Sequence, residues 1–368
     1  MNTLLTLAAM ATLLAPSLSV SAQFVVDGVA GTTEIGTGPG KYQLAAAYTG
    51  NHLDADRGLK ALYVGSTATT LNLMLVGSAE SSTGGFRALV LYLNTPARPG
   101  AGAGTALPGG NDALSPLKHR PTMDMVVDYG FRVSVGATTG TATDVFFSNV
   151  SYVTGTAITA GTDAYIGQGS KAGAMVMAAA TAPLPGTKYA YQNTANLTAN
   201  TTNAGLEIEI PLAAFGPGVA AGSLLDLFAT YTDGAGVFYS EIIPVITGRT
   251  TTLGTDPNFA AIAGTQALAY EMGAGVLAVR STTPSAFAFG LYPNPAQATA
   301  TVTYTVPSGG KQTVSLAVYN ALGQRVHALP PTPQAGPQQV KLGGLPAGAY
   351  LVKLQIGDQY TSGKLILE

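Results

Sequence analysis

The chain has 368 residues, of which only 10% are charged, and its formal net charge is −2 at pH 7. It contains no Cys and no Trp. The lack of Cys excludes a disulfide framework, a thiolate metal site and a cysteine nucleophile. The lack of a basic excess argues against a nucleic-acid-binding protein. A hydrophobic content of 46% argues against disorder, so we expect a packed fold.

The N-terminus has the pattern of an export signal. An apolar stretch from Leu4 to Leu14 precedes the helix-breaking Pro16, and small residues then lead to Ala22. This pattern predicts that residues 1–22 are a signal peptide, cleaved between Ala22 and Gln23. The apolar stretch is shorter than the roughly 20 residues that span a bilayer, so we expect no transmembrane segment in the mature chain. The alternative is a buried N-terminal helix.

Residues 23–283 are predicted to form one large domain of short strands. The predicted strands are Leu59 to Val64, Thr70 to Val76, Phe86 to Leu93, Asp124 to Val127, Phe131 to Val135, Asp144 to Val153, Leu206 to Ile210, Leu224 to Tyr231 and Val237 to Ile246. They are rich in β-branched and aromatic residues and end at turn residues. Residues 172–187 are rich in Ala and uncharged, and both a short helix and a loop remain open there. The pattern favours an all-β sandwich.

A second, more regular β pattern follows residues 284–290, which we interpret as a linker. From Thr299 to Val306 hydroxyl and apolar residues alternate, so this predicted strand has one apolar face. Val314 to Val318 repeats the pattern, and residues 349–367 form a predicted hairpin. Residues 291–368 are therefore predicted to be a small antiparallel sandwich.

Net charge divides the chain near the same place. Residues 23–285 hold 12 basic and 17 acidic side chains, whereas residues 286–368 hold 5 basic and 2 acidic ones. The large domain is thus acidic and the small domain basic, which supports a division into two domains. Neither charge is large enough to specify a partner.

Four sequence motifs occur in order in the last domain. They are Tyr292, Pro293, Asn294 and Pro295 after Leu291; the segment from Val318 to Val326, with Gly323; the segment from Leu345 to Lys353, with Pro346, Gly348 and Tyr350; and the ending from Gly363 to Glu368, with Lys364. Two prolines around an Asn predict a rigid turn into the first strand. Together the motifs resemble the type A C-terminal sorting domain of the type IX secretion system of Bacteroidetes. The alternative is an unrelated immunoglobulin-like module.

The resemblance implies a small immunoglobulin-like β-sandwich and a route of export. A signal peptide would direct the chain to the periplasm, and the type IX translocon would recognise residues 291–368. A sortase-like peptidase would then remove this domain. The passenger, residues 23–283, would be released or attached to a surface lipopolysaccharide. The resemblance points to Lys364 and the terminal hairpin as contacts, and to a secreted or outer-surface location.

The passenger also has fragments that resemble known domains. Val26 to Gly28, Ala61 to Gly65 with Leu71 to Val76, and Gly205 to Gly216 are similar to family-9 carbohydrate-binding and DOMON-like β-sandwich domains. The resemblance implies a sandwich fold more than a sugar ligand, because Trp is absent and the Tyr residues are scattered. We expect a non-catalytic structural, adhesive or binding module. The alternatives are a carbohydrate-binding module with a polysaccharide ligand and, less favoured, a glycoside hydrolase.

Two carboxylate pairs are candidates for catalysis. Glu207 and Glu209 share one face of a predicted strand, about 6.6 Å apart along it, a separation compatible with a glycosidase. We favour the alternative that they lie on a solvated face. Asp124 and Asp128 also share a predicted face, and we favour surface or loop-anchoring roles for them. We therefore assign no catalytic residue and expect that the protein is not an enzyme.

A turn between the first predicted strands is a candidate calcium site. Asp54 and Asp56 alternate before Gly58, as in the start of a calcium loop, but the twelfth position is Gly65 instead of Glu. The alternative is a polar turn whose carboxylates cap backbone amides. No His pair with metal-ligand spacing and no phosphate-binding loop is present in the sequence. We expect no cofactor and no nucleic-acid partner.

Overall fold

The computed structural model describes residues 24–368 apart from 55, 83, 97, 110–116, 118, 156–160, 274, 277–288, 307–310, 321–323 and 357–358. The predicted signal peptide with Ala22 and Gln23, most of the predicted linker, and Gly323 lie outside the described residues. The all-β fold class is confirmed. Within the described part, regular helix is confined to short 3-10 turns such as Leu212–Phe215 and Phe259–Ala261. None of the helices found there is long and apolar enough to cross a membrane.

The passenger is built from two antiparallel sheets. The first sheet has the order β1-β2-β3-β10-β9-β8. Its strands are β1 Gln43–Ala47, β2 Gly58–Ser66, β3 Thr70–Ser78, β8 Val176–Met177, β9 Lys188–Tyr191 and β10 Gly205–Pro211. The second sheet has the order β14-β13-β11-β4-β5-β6-β7, and β12 pairs with β11. Its strands are β4 Arg87–Asn94, β5 Tyr129–Val135, β6 Val145–Ser151, β7 Thr162–Gln168, β11 Leu224–Asp233, β12 Phe238–Ile243, β13 Leu268–Glu271 and β14 Gly275–Val276.

The main core lies between the two sheets. Alternation sends every second side chain of a strand inward, so Leu73 of β3 and Ile208 of β10 meet Leu91 of β4 and Phe131 of β5 in one buried cluster. These side chains are fully buried. Burying a side chain of this size contributes about 1.5–3 kcal/mol, which makes this interface the main source of stability.

The outer faces of the two sheets are covered differently. Residues 24–42, here called the strap, lie over the first sheet, where Phe24 and Tyr42 pack against Met74 and Val76. The second sheet is covered by loop residues that bury Val90, Tyr92 and Phe228. The covering residues include Leu107, Met123, Met125 and Phe259. Among the described residues, this buried cluster includes neither Phe146 of β6 nor Tyr165 of β7.

The C-terminal domain is a second sandwich with its own core. A three-stranded sheet has the order β15-β16-β19 and a four-stranded sheet has the order β18-β17-β20-β21. The strands are β15 Gly290–Tyr292, β16 Thr299–Val306, β17 Gln312–Asn320, β18 Arg325–Gln334, β19 Gly336–Gly343, β20 Gly348–Ile356 and β21 Gln359–Leu367. Gly290, which was predicted to lie in the linker, is the first residue of β15. Phe289 already packs against this core.

The predicted passenger strands agree with the structure except at one segment. Asp124 to Val127 is an irregular segment with an isolated bridge at Val127, not a strand. Its apolar residues pack into the loop cluster over the second sheet, so its apolar pattern reflects burial without a sheet ladder. Residues 172–187 form turns and the two-residue β8, which agrees with the loop alternative.

Candidate ligand-binding cleft

A cleft of about 600 Å³ lies on the outer face of the second sheet. Its lining residues are Gly85, Phe86, Arg87, Arg132, Ser134, Phe146, Tyr165, Asp233, Gly234 and Ala235. They come from strands β4 to β7, from the residues before β4 and from the turn between β11 and β12. Concave, mainly apolar sites with a few polar groups are where small ligands usually bind, so this cleft is the candidate functional site.

Three aromatic rings line the cleft. Phe86 and Phe146 are in tilted contact, with ring centroids 5.8 Å apart. Phe86 is 39% exposed and Tyr165, on β7, is 64% exposed. Because large aromatic side chains are usually buried, exposed rings around a concave surface mark a region suited to stacking against a ligand.

Polar side chains form the floor between the rings. Arg132 of β5 pairs in register with Ser148 of β6, which pairs with Tyr165 of β7. The Arg132 Nη2 atom donates to Ser148 Oγ at 2.6 Å, and Arg132 is 3% exposed. Ser134 lies in the next row beside Phe146. The floor therefore offers a fixed guanidinium and hydroxyls next to the rings.

An ion pair and a turn form the opposite rim. Arg87 Nε donates to Asp54 Oδ2 at 2.6 Å, and Tyr231 donates its hydroxyl to the same oxygen at 2.7 Å. Asp233 accepts the backbone N–H groups of Ala235 and Val237. Both carboxylates therefore hold the rim in place.

Glu207 is not on a solvated face, and that favoured interpretation is wrong. Its side chain is fully buried under the strap. Its Oε2 atom accepts the backbone N–H groups of Asp27 (2.9 Å) and Gly28 (2.8 Å), and its Oε1 atom accepts the Tyr42 hydroxyl at 2.8 Å. Burial raises the pKa of Glu207 to about 7, against the lowering effect of these three donors. The carboxylate fastens the strap to the sheet.

Glu209 is also buried, at 7% exposure, and its Oε1 atom accepts Lys188 Nζ at 2.7 Å. Neither Glu207 nor Glu209 is among the residues that line the cleft. Their hydrogen bonds are structural, and the donors belong to the strap and to β9. Nothing in this geometry supports the glycosidase alternative.

The second carboxylate pair anchors loops. Asp128 is fully buried, and its Oδ2 atom accepts the Thr95 backbone N–H (2.7 Å) and hydroxyl (2.6 Å). Burial raises the pKa of Asp128 to about 6. Asp124 accepts the backbone N–H of Gln266 at 2.6 Å. The predicted strand face that these two residues would share does not exist, and the loop-anchoring interpretation is confirmed.

The calcium candidates have separate partners. Asp54 is bound to Arg87 and Tyr231, whereas the Asp56 carboxylate faces the backbone N–H of Thr198 at 3.5 Å. In the part of the chain that the structure describes, no group of three or more His, Asp or Glu side chains could hold a metal ion. Calcium binding at this turn stays a prediction without structural support.

The sorting motifs meet at the terminal strand. The Asn294 amide donates to the Lys364 carbonyl at 2.7 Å and its Oδ1 atom accepts the Ile366 backbone N–H at 2.9 Å. Tyr350, on β20, is buried and donates its hydroxyl to the Pro346 carbonyl at 2.6 Å. Pro293 and Pro295 flank Asn294 in the turn after Tyr292, and Gly348 begins β20. The first and last motifs are thus joined directly.

The cleft residues were missed in the sequence because they come from distant segments. One signal was present: Phe146 and Phe147 are adjacent in a predicted strand, and alternation must put one ring on each face. Phe147 is buried in the main core and Phe146 faces the cleft. Tyr165 lies in a strand that was not predicted.

Comparison with known families identifies the second domain. Residues 290–368 match the family described as the secretion system C-terminal sorting domain. The resemblance seen in the sequence is thereby confirmed for this domain, called the sorting domain below, and it supports export through the type IX secretion system to the cell surface or beyond. The match does not include the passenger. No curated protein matches the chain.

Two solved structures show low similarity to the chain. Dimeric latent PorU from Porphyromonas gingivalis aligns with 14% identity over 89% of this chain and 34% of that chain, with a TM-score of 0.20. A segment of two fibronectin type III domains from chicken tenascin aligns with 12% identity over 84% of this chain and 99% of that chain, with a TM-score of 0.17. The chain spans about a third of the PorU chain.

Proposed function

We propose that the passenger is a non-catalytic binding module, delivered to the cell surface or the medium by its sorting domain, and that the cleft is its binding site. The cleft with its exposed rings is the observation that supports this proposal. Such a module would act as an adhesive or structural component of the surface. It would bind its ligand without changing it, because the carboxylates considered for catalysis are engaged in structural hydrogen bonds.

A carbohydrate is the ligand class that we favour. Aromatic rings stack on the apolar faces of sugars, and Arg and Ser side chains hydrogen-bond to hydroxyl groups. The cleft combines Phe86, Phe146 and Tyr165 with Arg132 and Ser134. This arrangement supports a polysaccharide ligand even though the chain has no Trp.

Retention of the purified protein, residues 23–368 with the sorting domain still attached, on a panel of immobilised polysaccharides tests this proposal. We expect one polysaccharide to retain the protein and the double variant Phe86→Ala with Tyr165→Ala to lose about tenfold in affinity. Tyr292→Ala is the matched control, because Tyr292 is 50% exposed but lies in the sorting domain. Equal retention of all three proteins would contradict a role for the cleft, and cleavage of the retained glycan would contradict a non-catalytic module.

The export route is proposed in two steps. Residues 1–22 would direct the chain to the periplasm, where the type IX translocon would recognise the sorting domain. A sortase-like peptidase would then remove that domain, and the passenger would be released or attached to lipopolysaccharide. Deletion of residues 290–368 should leave the passenger in the periplasm. Arrival of the truncated protein outside the cell would overturn this route.

A further inference from the structure

We propose that the outer face of the four-stranded sheet of the sorting domain docks onto an acidic protein surface of the secretion machinery. This inference rests on the proposed export function. It adds which face of the sorting domain is recognised and what chemistry its partner presents. The face, called the basic face below, is formed by strands β17, β18, β20 and β21.

A row of four side chains crosses this sheet. Arg325 of β18 pairs with Tyr319 of β17, Tyr319 pairs with Leu351 of β20, and Leu351 pairs with Lys364 of β21. Side chains opposite each other on one face have Cβ atoms about 4.5–5.5 Å apart. The row therefore presents two cations at its ends and two apolar groups between them.

Alternation shows that the row faces outward. The neighbouring residues Val318, Val352 and Leu365 are buried in the core of the sorting domain. Tyr319, Leu351 and Lys364 are next to these residues in their strands, so their side chains point to the opposite face of the sheet. Arg325 and Lys364 are exposed, and Leu351 is 48% exposed. Leu351 lies opposite Tyr319 in this row, so an aromatic ring continues the exposed apolar surface between the two cations.

The charge of this face is of one sign. The four strands carry Arg325, Lys353 and Lys364 and contain no Asp or Glu in their sequences. The strands of the three-stranded sheet carry a single cation, Lys341. Three of the five cations of residues 286–368 therefore belong to one sheet. An interface of complementary charge would present carboxylates to the two ends of the row.

The apolar centre favours a protein partner over a lipid or polysaccharide surface. Protein interfaces typically have an apolar centre, enriched in aromatic residues, inside a polar rim. Leu351 and Tyr319 form such a centre, and Arg325 and Lys364 form the rim. The partner surface would accordingly place an apolar group opposite Leu351 and acidic side chains on either side of it.

Charge reversal in the full-length protein, followed by cell fractionation, tests the proposal. We expect the double variant Arg325→Glu with Lys364→Glu to reach the outside about tenfold less than wild type and to accumulate in the periplasm with its sorting domain attached. Leu351→Asp should have the same effect. Lys341→Glu on the other sheet is the matched control and should be exported normally. The conservative pair Arg325→Lys with Lys364→Arg should also be exported.

Three outcomes would contradict the proposal. Normal export of the double reversal and of Leu351→Asp would contradict docking through the basic face. The deletion of residues 290–368 separately tests whether the sorting domain is needed for export. Equal loss with Lys341→Glu would show that total charge matters and not this face. Release of the reversed protein into the medium would show that the face contacts the cell surface after export. Unchanged melting temperatures of the purified variants would exclude misfolding as the cause of retention.

Discussion

The two outer faces of the passenger sandwich both carry polar and aromatic side chains. On the first face these side chains are buried, whereas on the second face some of them line the cleft. On the first sheet, the strap buries Tyr42 and Glu207. On the second sheet, Phe146 and Tyr165 are not among the described residues that the loops bury, and they line an open cleft. The comparison shows that the cover over a sheet decides whether its outward residues stabilise the fold or remain available to a ligand.

The comparison also separates two uses of a carboxylate. Glu207 is buried with three donors and holds a chain segment in place. Asp54 holds Arg87, and Asp233 holds the turn after β11; both Arg87 and this turn line the cleft. In both places the carboxylates act on the fold. The groups left for binding are the aromatic rings and the floor residues between them.

The largest expected effect comes from removing the fastening of the strap. Glu207→Ala leaves the Tyr42 hydroxyl and two backbone N–H groups without their acceptor. We expect it to lower the free energy of unfolding by about 3 kcal/mol, measured by urea denaturation at pH 6. Glu209→Ala is the control and should cost about 1 kcal/mol or less, because the partner that it leaves, Lys188, is 35% exposed and can be solvated. Similar costs for the two variants would contradict the role given to Glu207.

The second effect is a pH dependence that belongs to the covered face. The pKa of Glu207 is raised from the ordinary 4.5 to about 7 in the folded protein. A group with a raised folded pKa stabilises the fold below its unfolded pKa, and that contribution is lost as pH rises through 7. We expect Glu207 to account for about 2 kcal/mol of the unfolding free energy that wild type loses between pH 5 and pH 8.

Comparison with Glu207→Gln isolates this contribution, because Asp128 also has a raised pKa, of about 6, and acts in the same direction. The Gln variant keeps an acceptor but does not titrate. Its unfolding free energy should therefore change less than that of wild type over the same pH range. Parallel curves for the two proteins would show that the pKa of Glu207 is not raised in the folded protein.

Much of the covered interior was predictable from the sequence. Runs such as Leu71 to Val76 and Leu224 to Tyr231 are strand-length and apolar, so their place in the sandwich follows from periodicity. The four C-terminal motifs likewise predicted the sorting domain, because each motif is a short continuous stretch of chain. Both predictions depend on residues that are close together in the sequence.

The segments that cover the outer faces of the two sheets could not be predicted in this way. Glu207 and Glu209 alternate with Leu206, Ile208 and Ile210, and this pattern is typical of a strand with one solvated face. What buries Glu207 is the strap, which lies far away in the sequence and has few strand signals of its own. The cleft was missed for the related reason that Phe86, Phe146 and Tyr165 meet only after β4 to β7 have paired.

The third prediction compares one tyrosine on each face. Tyr42→Phe removes a hydroxyl that donates to Glu207 and leaves the ring in place. We expect a loss of about 1 kcal/mol in unfolding free energy by urea denaturation. Tyr165→Phe, at the exposed site, should leave the unfolding free energy unchanged. Equal losses would mean that both hydroxyls serve the fold, and the proposed difference between the faces would be wrong.

The smallest effect on stability is expected where the effect on binding is clear. Tyr165 is 64% exposed, so Tyr165→Ala should change the unfolding free energy by no more than about 0.5 kcal/mol. The same change removes a stacking ring and should weaken retention on the polysaccharide ligand by about tenfold. Substitution of a residue that supports the fold should reduce both stability and binding. Substitution of a residue that only contacts the ligand should reduce binding alone. If Tyr165→Ala destabilised the passenger as strongly as Glu207→Ala, the uncovered end of the second sheet would be part of the fold, and its cleft would lose its place as the candidate site.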